Sequence, residues 1–200
     1  SIQKVIKSSI FNDKLYLLIQ NANEQQISYS VYTLDLNNPQ IFVSLFESST
    51  NITHKSHYFS KDFIVNSDGI FIVGTTDYAP SDVSQGKRTY DYFLANYLLD
   101  GSINSSFGDN GIFQKDFTDT DKAFTLDIQD DGKILIAGMT WVNFGGGDAR
   151  VTRVNADGTI DESFGDNGTT AIVSLPPHEN HLMVDDRGRE EATDLFIDDS

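Results

Sequence analysis

The residues whose types could do chemistry in this 200-residue chain are carboxylates, tyrosines, arginines and four histidines. His178-Glu179-Asn180-His181 has the composition of a zinc site, but zinc-protease helices place their histidines at i and i+4. Here the spacing is i and i+3, directly after Pro176-Pro177, so a surface pair is the reading. His54 and His57 lie in a polar segment and are read in the same way. Asp116, Asp119 and Asp121 gather carboxylates in what reads as a loop, which suits a hard cation that wants several oxygens. Calcium is the candidate cofactor there, against solvated turn carboxylates as the alternative. Asp185-Asp186 is a second acidic pair, and neither segment spells an EF-hand loop.

Two insertions carry the chemistry of recognition surfaces. The first, Thr75 to Tyr92, holds Tyr78, Arg88, Tyr90 and Tyr92; the second, Leu175 to Glu190, holds Arg187 and Arg189. Trp141 and Phe144 precede or flank a glycine-rich stretch, where they would either stack on a sugar face or pack at a strand rim. Gly145-Gly146-Gly147 lacks the Lys and Ser/Thr of a phosphate loop, so nucleotide binding is not expected. There is no Gly-x-Ser-x-Gly elbow and no cysteine to serve as nucleophile or thiolate ligand. No catalytic residue is assigned, and the chain is expected not to be an enzyme.

Composition narrows the partners. The formal net charge is −16, and 24 of the 30 acidic residues are Asp. Such a field repels phosphate backbones and anionic membranes, which argues against nucleic acid as a partner. No apolar run approaches the ~18 residues of a membrane helix, so membrane insertion is not expected either. Asp favours turns and caps where Glu favours helices, so its excess points to many tight turns.

Those turns recur. Asp100-Gly101-Ser102-Ile103-Asn104-Ser105-Ser106-Phe107-Gly108-Asp109-Asn110-Gly111 returns 57 residues later as Asp157-Gly158-Thr159-Ile160-Asp161-Glu162-Ser163-Phe164-Gly165-Asp166-Asn167-Gly168, with nine of twelve positions identical. Asp68-Gly69-Ile70-Phe71-Ile72-Val73-Gly74 likewise matches Asp131-Gly132-Lys133-Ile134-Leu135-Ile136-Ala137-Gly138. Ala192 to Ser200 matches Ala123 to Asp131, and the turn and strand of a worn earlier copy fit Asn12-Asp13-Lys14-Leu15-Tyr16-Leu17-Leu18. Within one unit, Phe124, Leu126 and Ile128 alternate with Thr125 and Asp127 as a half-buried strand should. Asp130-Asp131-Gly132 reads as a hairpin turn, and Lys133 to Ala137 as a strand covered on both faces. Ala149 to Asn155 and Thr169 to Ser174 complete four strands, with the Phe-Gly-Asp-Asn-Gly bend between them. Four short antiparallel strands in ~60 residues is the unit of a β-propeller blade.

The expected organisation is a degenerate first blade over 1–58, a second over 59–121, and a third over 122–190 with its long loop at 175–190. Residues 191–200 would open a further blade. About three blades cannot close a ring of 4–8, so the chain is expected to be part of a larger propeller or to self-associate through open blade edges. The repeated Asp-Gly-Lys-Ile-Leu-Ile-Ala-Gly and Asp-Gly-Thr-Ile-Asp-Glu-Ser-Phe-Gly-Asp-Asn-Gly stretches resemble the bacterial delta-60 repeat, a β-propeller repeat protein family. That resemblance implies an extracellular or cell-surface setting and no catalytic motif. The functional expectation is a scaffold or protein-binding module of a secreted protein. A calcium-assisted, carbohydrate-binding adhesin module and a propeller hydrolase or lyase are the alternatives.

Overall fold

In the computed structural model, residues 2–22, 26–39, 42–51, 56–78, 89–117, 120–141 and 147–171 are described. Twelve strands occupy them, and no helix occurs among the described residues. β1 (Ile2–Phe11), β2 (Lys14–Ala22), β3 (Gln26–Asp35) and β4 (Phe42–Asn51) form one antiparallel sheet in the order β1-β2-β3-β4. The second unit is β5 (Ser56–Asn66), β6 (Gly69–Tyr78), β7 (Thr89–Tyr97) and β8 (Ile112–Lys115), and each strand pairs with the next. The third is β9 (Thr120–Ile128), β10 (Ile134–Trp141), β11 (Gly147–Val154) and β12 (Thr169–Ala171), again paired in sequence. A parallel bridge between Tyr90 and Thr120 joins the second sheet to the third. The fold is therefore an all-β, propeller-like array of four-stranded antiparallel blades.

The first strands lie side by side, β1 against β5 and β5 against β9, as inner strands do around a propeller axis. Between neighbouring blades sit two separate cores. Ile70 and Ile72 of β6, with Phe93 and Ala95 of β7, face blade one and meet Tyr16, Leu18, Tyr29 and Val31. The intervening Phe71, Val73, Tyr92 and Leu94 face blade three and meet Ala123, Leu126, Ile134 and Ile136. A strand apolar at every position is what burial on both faces requires. Each fully buried Ile, Leu or Phe contributes ~1.5–3 kcal/mol of transfer free energy, so stacking dominates the stability of blade two.

Turn chemistry explains the repeated letters. Asn12 and Asp13 both hold positive φ, 48° and 56°, which is the two-residue hairpin turn that matches strand twist. The Phe-Gly-Asp-Asn-Gly bend needs three left-handed residues: Gly108, Asn110 and Gly111 at φ 52°, 52° and 94°. Its second copy, at Gly165, Asn167 and Gly168, repeats this at 58°, 51° and 87°. Asp100 and Asp157 close their turns by accepting bonds from the backbone N–H groups of Ser102 and Thr159, each at 2.9 Å. These Asx turns account for part of the aspartate excess.

One expectation fails at the first strands. Each carries a one-residue bulge, where the ladder register steps over Ile6 in β1, Lys61 in β5 and Phe124 in β9. The extra residue in β9 takes Phe124, expected on the core side, out of the core, while Leu126 and Ile128 behind it keep that side as expected. Thr125, expected on the solvent side of an alternating strand, is instead buried at 5% exposure.

The blades also dock through their turns, for Gly108 N–H donates to the Asp157 carbonyl at 2.8 Å. A Cβ on Gly158 would land on the Gly108 backbone nitrogen, whereas one on Gly132 would meet only the Ala156 Cβ at 3.4 Å. Both hold positive φ, 84° and 80°. Gly132→Val is therefore expected to cost ~1–3 kcal/mol from backbone strain alone. Gly158→Val should cost more, because it also separates two blades. Urea denaturation of the two variants checks the order.

Candidate functional site

The inner-strand bulges create a polar junction that the sequence patterns did not point to. Lys7, Asp62 and Thr125 each follow the bulged residue of their strand, and each stands six positions before its turn aspartate, Asp13, Asp68 or Asp131. Asp62, only 3% exposed, pairs with the Lys7 ammonium of blade one. Its Oδ2 accepts from the Thr125 hydroxyl of blade three at 2.6 Å and from Leu126 N–H at 3.3 Å. Its Oδ1 also accepts from its neighbour Phe63 N–H at 2.7 Å. One carboxylate thus ties all three blades together. The bulge is the only signal that could have found it, and it is invisible in a period-two pattern.

A second acidic group lies at the junction of blades two and three. The Tyr90–Thr120 bridge sets the following residues, Asp91 of β7 and Asp121 of β9, beside one another. Asp116, just past β8, completes the group: one carboxylate oxygen from each of the three lies within 4.8 Å of the others. Asp116 is exposed, while Asp91 and Asp121 are 8% and 0% exposed. Asp91 Oδ2 accepts from Gln114 Nε2 at 2.7 Å, and Asp121 Oδ2 from Phe117 N–H at 2.7 Å. Burial pushes the Asp121 carboxyl up to about 6, against the bond from Phe117, and the charges of Asp116 and Asp91 add to the rise. Asp91 is raised too, by burial first and by Asp116 in lesser part.

Around this group the packing is aromatic. The Tyr92 ring stands edge-on to Phe117 at 5.4 Å, and the Arg150 guanidinium lies 4.8 Å from the Phe117 ring. Burial raises the Tyr92 hydroxyl far above its ordinary value, and the Asp121 charge raises it further. Lys122 sits over the Tyr90 ring at 5.8 Å.

Set beside the sequence expectations, the geometry redistributes the residues. Asp116 and Asp121 do come together, and Asp91, distant in sequence, joins them; Asp119 lies outside the described residues. Tyr92 is corrected: it is a fully buried strand residue, not a loop contact, because β7 begins at Thr89 and its inward face packs on blade three. Tyr90 also belongs to β7 and is half-buried, and Tyr78 ends β6. Trp141 is the last residue of β10. Arg88, Phe144, Arg187, Arg189, both histidine pairs except His57, and Asp185-Asp186 lie outside the described residues; His57 is on β5. A half-open cleft of about 440 Å³ between the turns of blades two and three is lined by Asp68, Asn96, Asn104, Asp130 and Asp131.

Blade three carries its own ionic clasp. Asp161 accepts from the Ser163 hydroxyl at 2.6 Å and from Arg153 Nε at 2.8 Å, with Lys133 Nζ at 3.4 Å. The Ser163 bonds chiefly, then the two cations, hold its carboxyl down at about 2. A depressed acid stabilises the folded state above its unfolded value of ~3.9 and loses that contribution as pH falls through the folded value. Asp161→Asn is expected to lower the urea midpoint between pH 5 and pH 7, with the difference from wild type vanishing as pH falls to 2. An equal deficit at pH 2 would contradict this.

Comparison with known proteins touches the most regular part of the chain. Residues 129–164, from the turn before β10 to the phenylalanine of the second bend, match a family described as "Domain of unknown function (DUF5122) beta-propeller". No curated protein matches the chain. The matched stretch supports a β-propeller repeat family, in agreement with the blade architecture.

Proposed function

We propose that the chain is a segment of a secreted or cell-surface bacterial propeller and serves as a non-catalytic scaffold that binds protein. The observation that carries this reading is the outward face of blade one. β2 is apolar on both sides: Tyr16 and Leu18 are buried against blade two, while Leu15, Leu17 and Ile19 turn the other way and are half-buried. Paired with them on that outer face are Ile10 and Val5 of β1, 67% and 54% exposed. A run like Leu15–Ile19, apolar at five successive positions as Ile70–Val73 of β6 is at four, is suited to a neighbour on each side. Large contiguous apolar faces mark interaction surfaces in soluble proteins. The partner that fits is another protein sheet face, stacked as blade two is stacked on blade one.

The delta-60 resemblance of the turn and bend repeats supports the bacterial surface setting. The interblade cores support the scaffold role, since they join the three blades into one stack. Size exclusion coupled to light scattering tests the reading. A defined oligomer is expected for the wild-type chain, falling to a single-chain mass in the Val5→Lys, Ile10→Lys double variant. A wild-type monomer at every concentration, with no binding of a hydrophobic dye, would overturn it.

A further inference from the structure

We propose that Asp91, Asp116 and Asp121 hold a calcium ion that pins blade two to blade three. Two independent features lead there. The first is spacing: an ion bound at ~2.4 Å by each ligand places its ligand oxygens no more than ~4.8 Å apart. The three carboxylates meet that limit. The second is a set of unsatisfied buried atoms. Asp91 Oδ1 and Asp121 Oδ1 have no hydrogen-bond partner, although the other oxygen of each is bonded. The hydroxyls of Tyr92 and Thr140 are buried beside them and are also without a well-formed bond.

A buried donor or acceptor left without a partner costs ~1–3 kcal/mol, and more when it is charged. Natural folds seldom leave two carboxylate oxygens so at one junction. Among the described residues, no lysine or arginine forms an ion pair with Asp91 or Asp121. A hard dication answers all of these at once. It takes oxygen donors only, it offsets the mutual repulsion of three carboxylates, and it tolerates a donor set completed by water. Calcium suits the site better than magnesium, which demands a near-ideal octahedron at ~2.0–2.1 Å.

The ligands give the ion a structural task. Asp91 and Asp116 belong to blade two and Asp121 to blade three, and the Tyr90–Thr120 bridge lies between them. The ion would therefore close the seam at that bridge, as Asp62 closes the inner strands.

The test is thermal unfolding of the whole chain, first dialysed against a chelator and then titrated with calcium or magnesium at 150 mM salt. Saturating calcium is expected to raise the midpoint by about 5 °C or more, with one ion bound in a calorimetric titration. Asp121→Asn removes a buried charge, so in chelator it should melt no lower than wild type, while its calcium shift disappears. Asp116→Asn, on the exposed ligand, should keep its chelated midpoint near wild type and weaken calcium binding at least tenfold. Asp109→Asn with Asp166→Asn, in the exposed turns, should keep the full shift. No shift with either ion, or a shift retained in both ligand variants, overturns the proposal. A shift with magnesium alone overturns the assignment of calcium.

Discussion

A single buried carboxylate, Asp62, sets the geometry around which the three blades are arranged. Placing a charge where it is 3% exposed is costly unless it is paired and fully bonded. Asp62 meets that demand only when β1 supplies Lys7 and β9 supplies Thr125 and Leu126. The requirement runs both ways, since Thr125 is itself buried and gives its hydroxyl hydrogen to Asp62. Satisfying one carboxylate thus fixes the relative positions of three inner strands. The apolar faces follow from that placement: once the strands are in register, each blade face meets its neighbour's.

Blade two shows what this arrangement does to stability. Its residues alternate between two cores, one shared with each neighbour, so neither face is its own. Repeat architectures of this kind are stabilised by interfaces between units as much as by the units themselves. The turn of blade three adds a peripheral tie, through the Asp157 carbonyl seated on Gly108 N–H. Inner strands, stacked faces and outer turns therefore link the same pair of blades at three radii. The three-carboxylate group between Asp91, Asp116 and Asp121 sits on this seam.

How much of this is legible in the sequence depends on how local the signal is. The Asp-Gly turns and the Phe-Gly-Asp-Asn-Gly bend were readable because each demands particular residues at positive φ. The blade architecture followed from their recurrence. The first blade reads as worn because it lacks the bend, yet it forms four strands, since Asn12-Asp13 makes its own tight turn. Bulges were not readable. A single extra residue at Lys61 or Phe124 leaves composition untouched, and Thr125 is buried on the side away from Leu126 and Ile128 by a contact with Asp62 of another blade, which no pattern within one strand marks. Asp91 is illegible for a different reason: its nearness to Asp121 is created by a bridge between strands, not by spacing along the chain. Tyr92 looked like a loop residue because the extension of β7 back to Thr89 has no sequence marker.

Native-state hydrogen exchange of wild type beside Asp62→Ala measures the central claim most directly. Asp62→Ala leaves Lys7, 43% exposed, to be taken up by water, but it strips the acceptor from the buried Thr125 hydroxyl and from the Leu126 and Phe63 N–H groups, at ~1–3 kcal/mol for each donor left unsatisfied. If Asp62 couples the blades, protection should fall by that order together in β1, β5 and β9, three strands from three different blades. Loss confined to β5, or a change below ~1 kcal/mol, would show that the blades are positioned by their apolar faces alone.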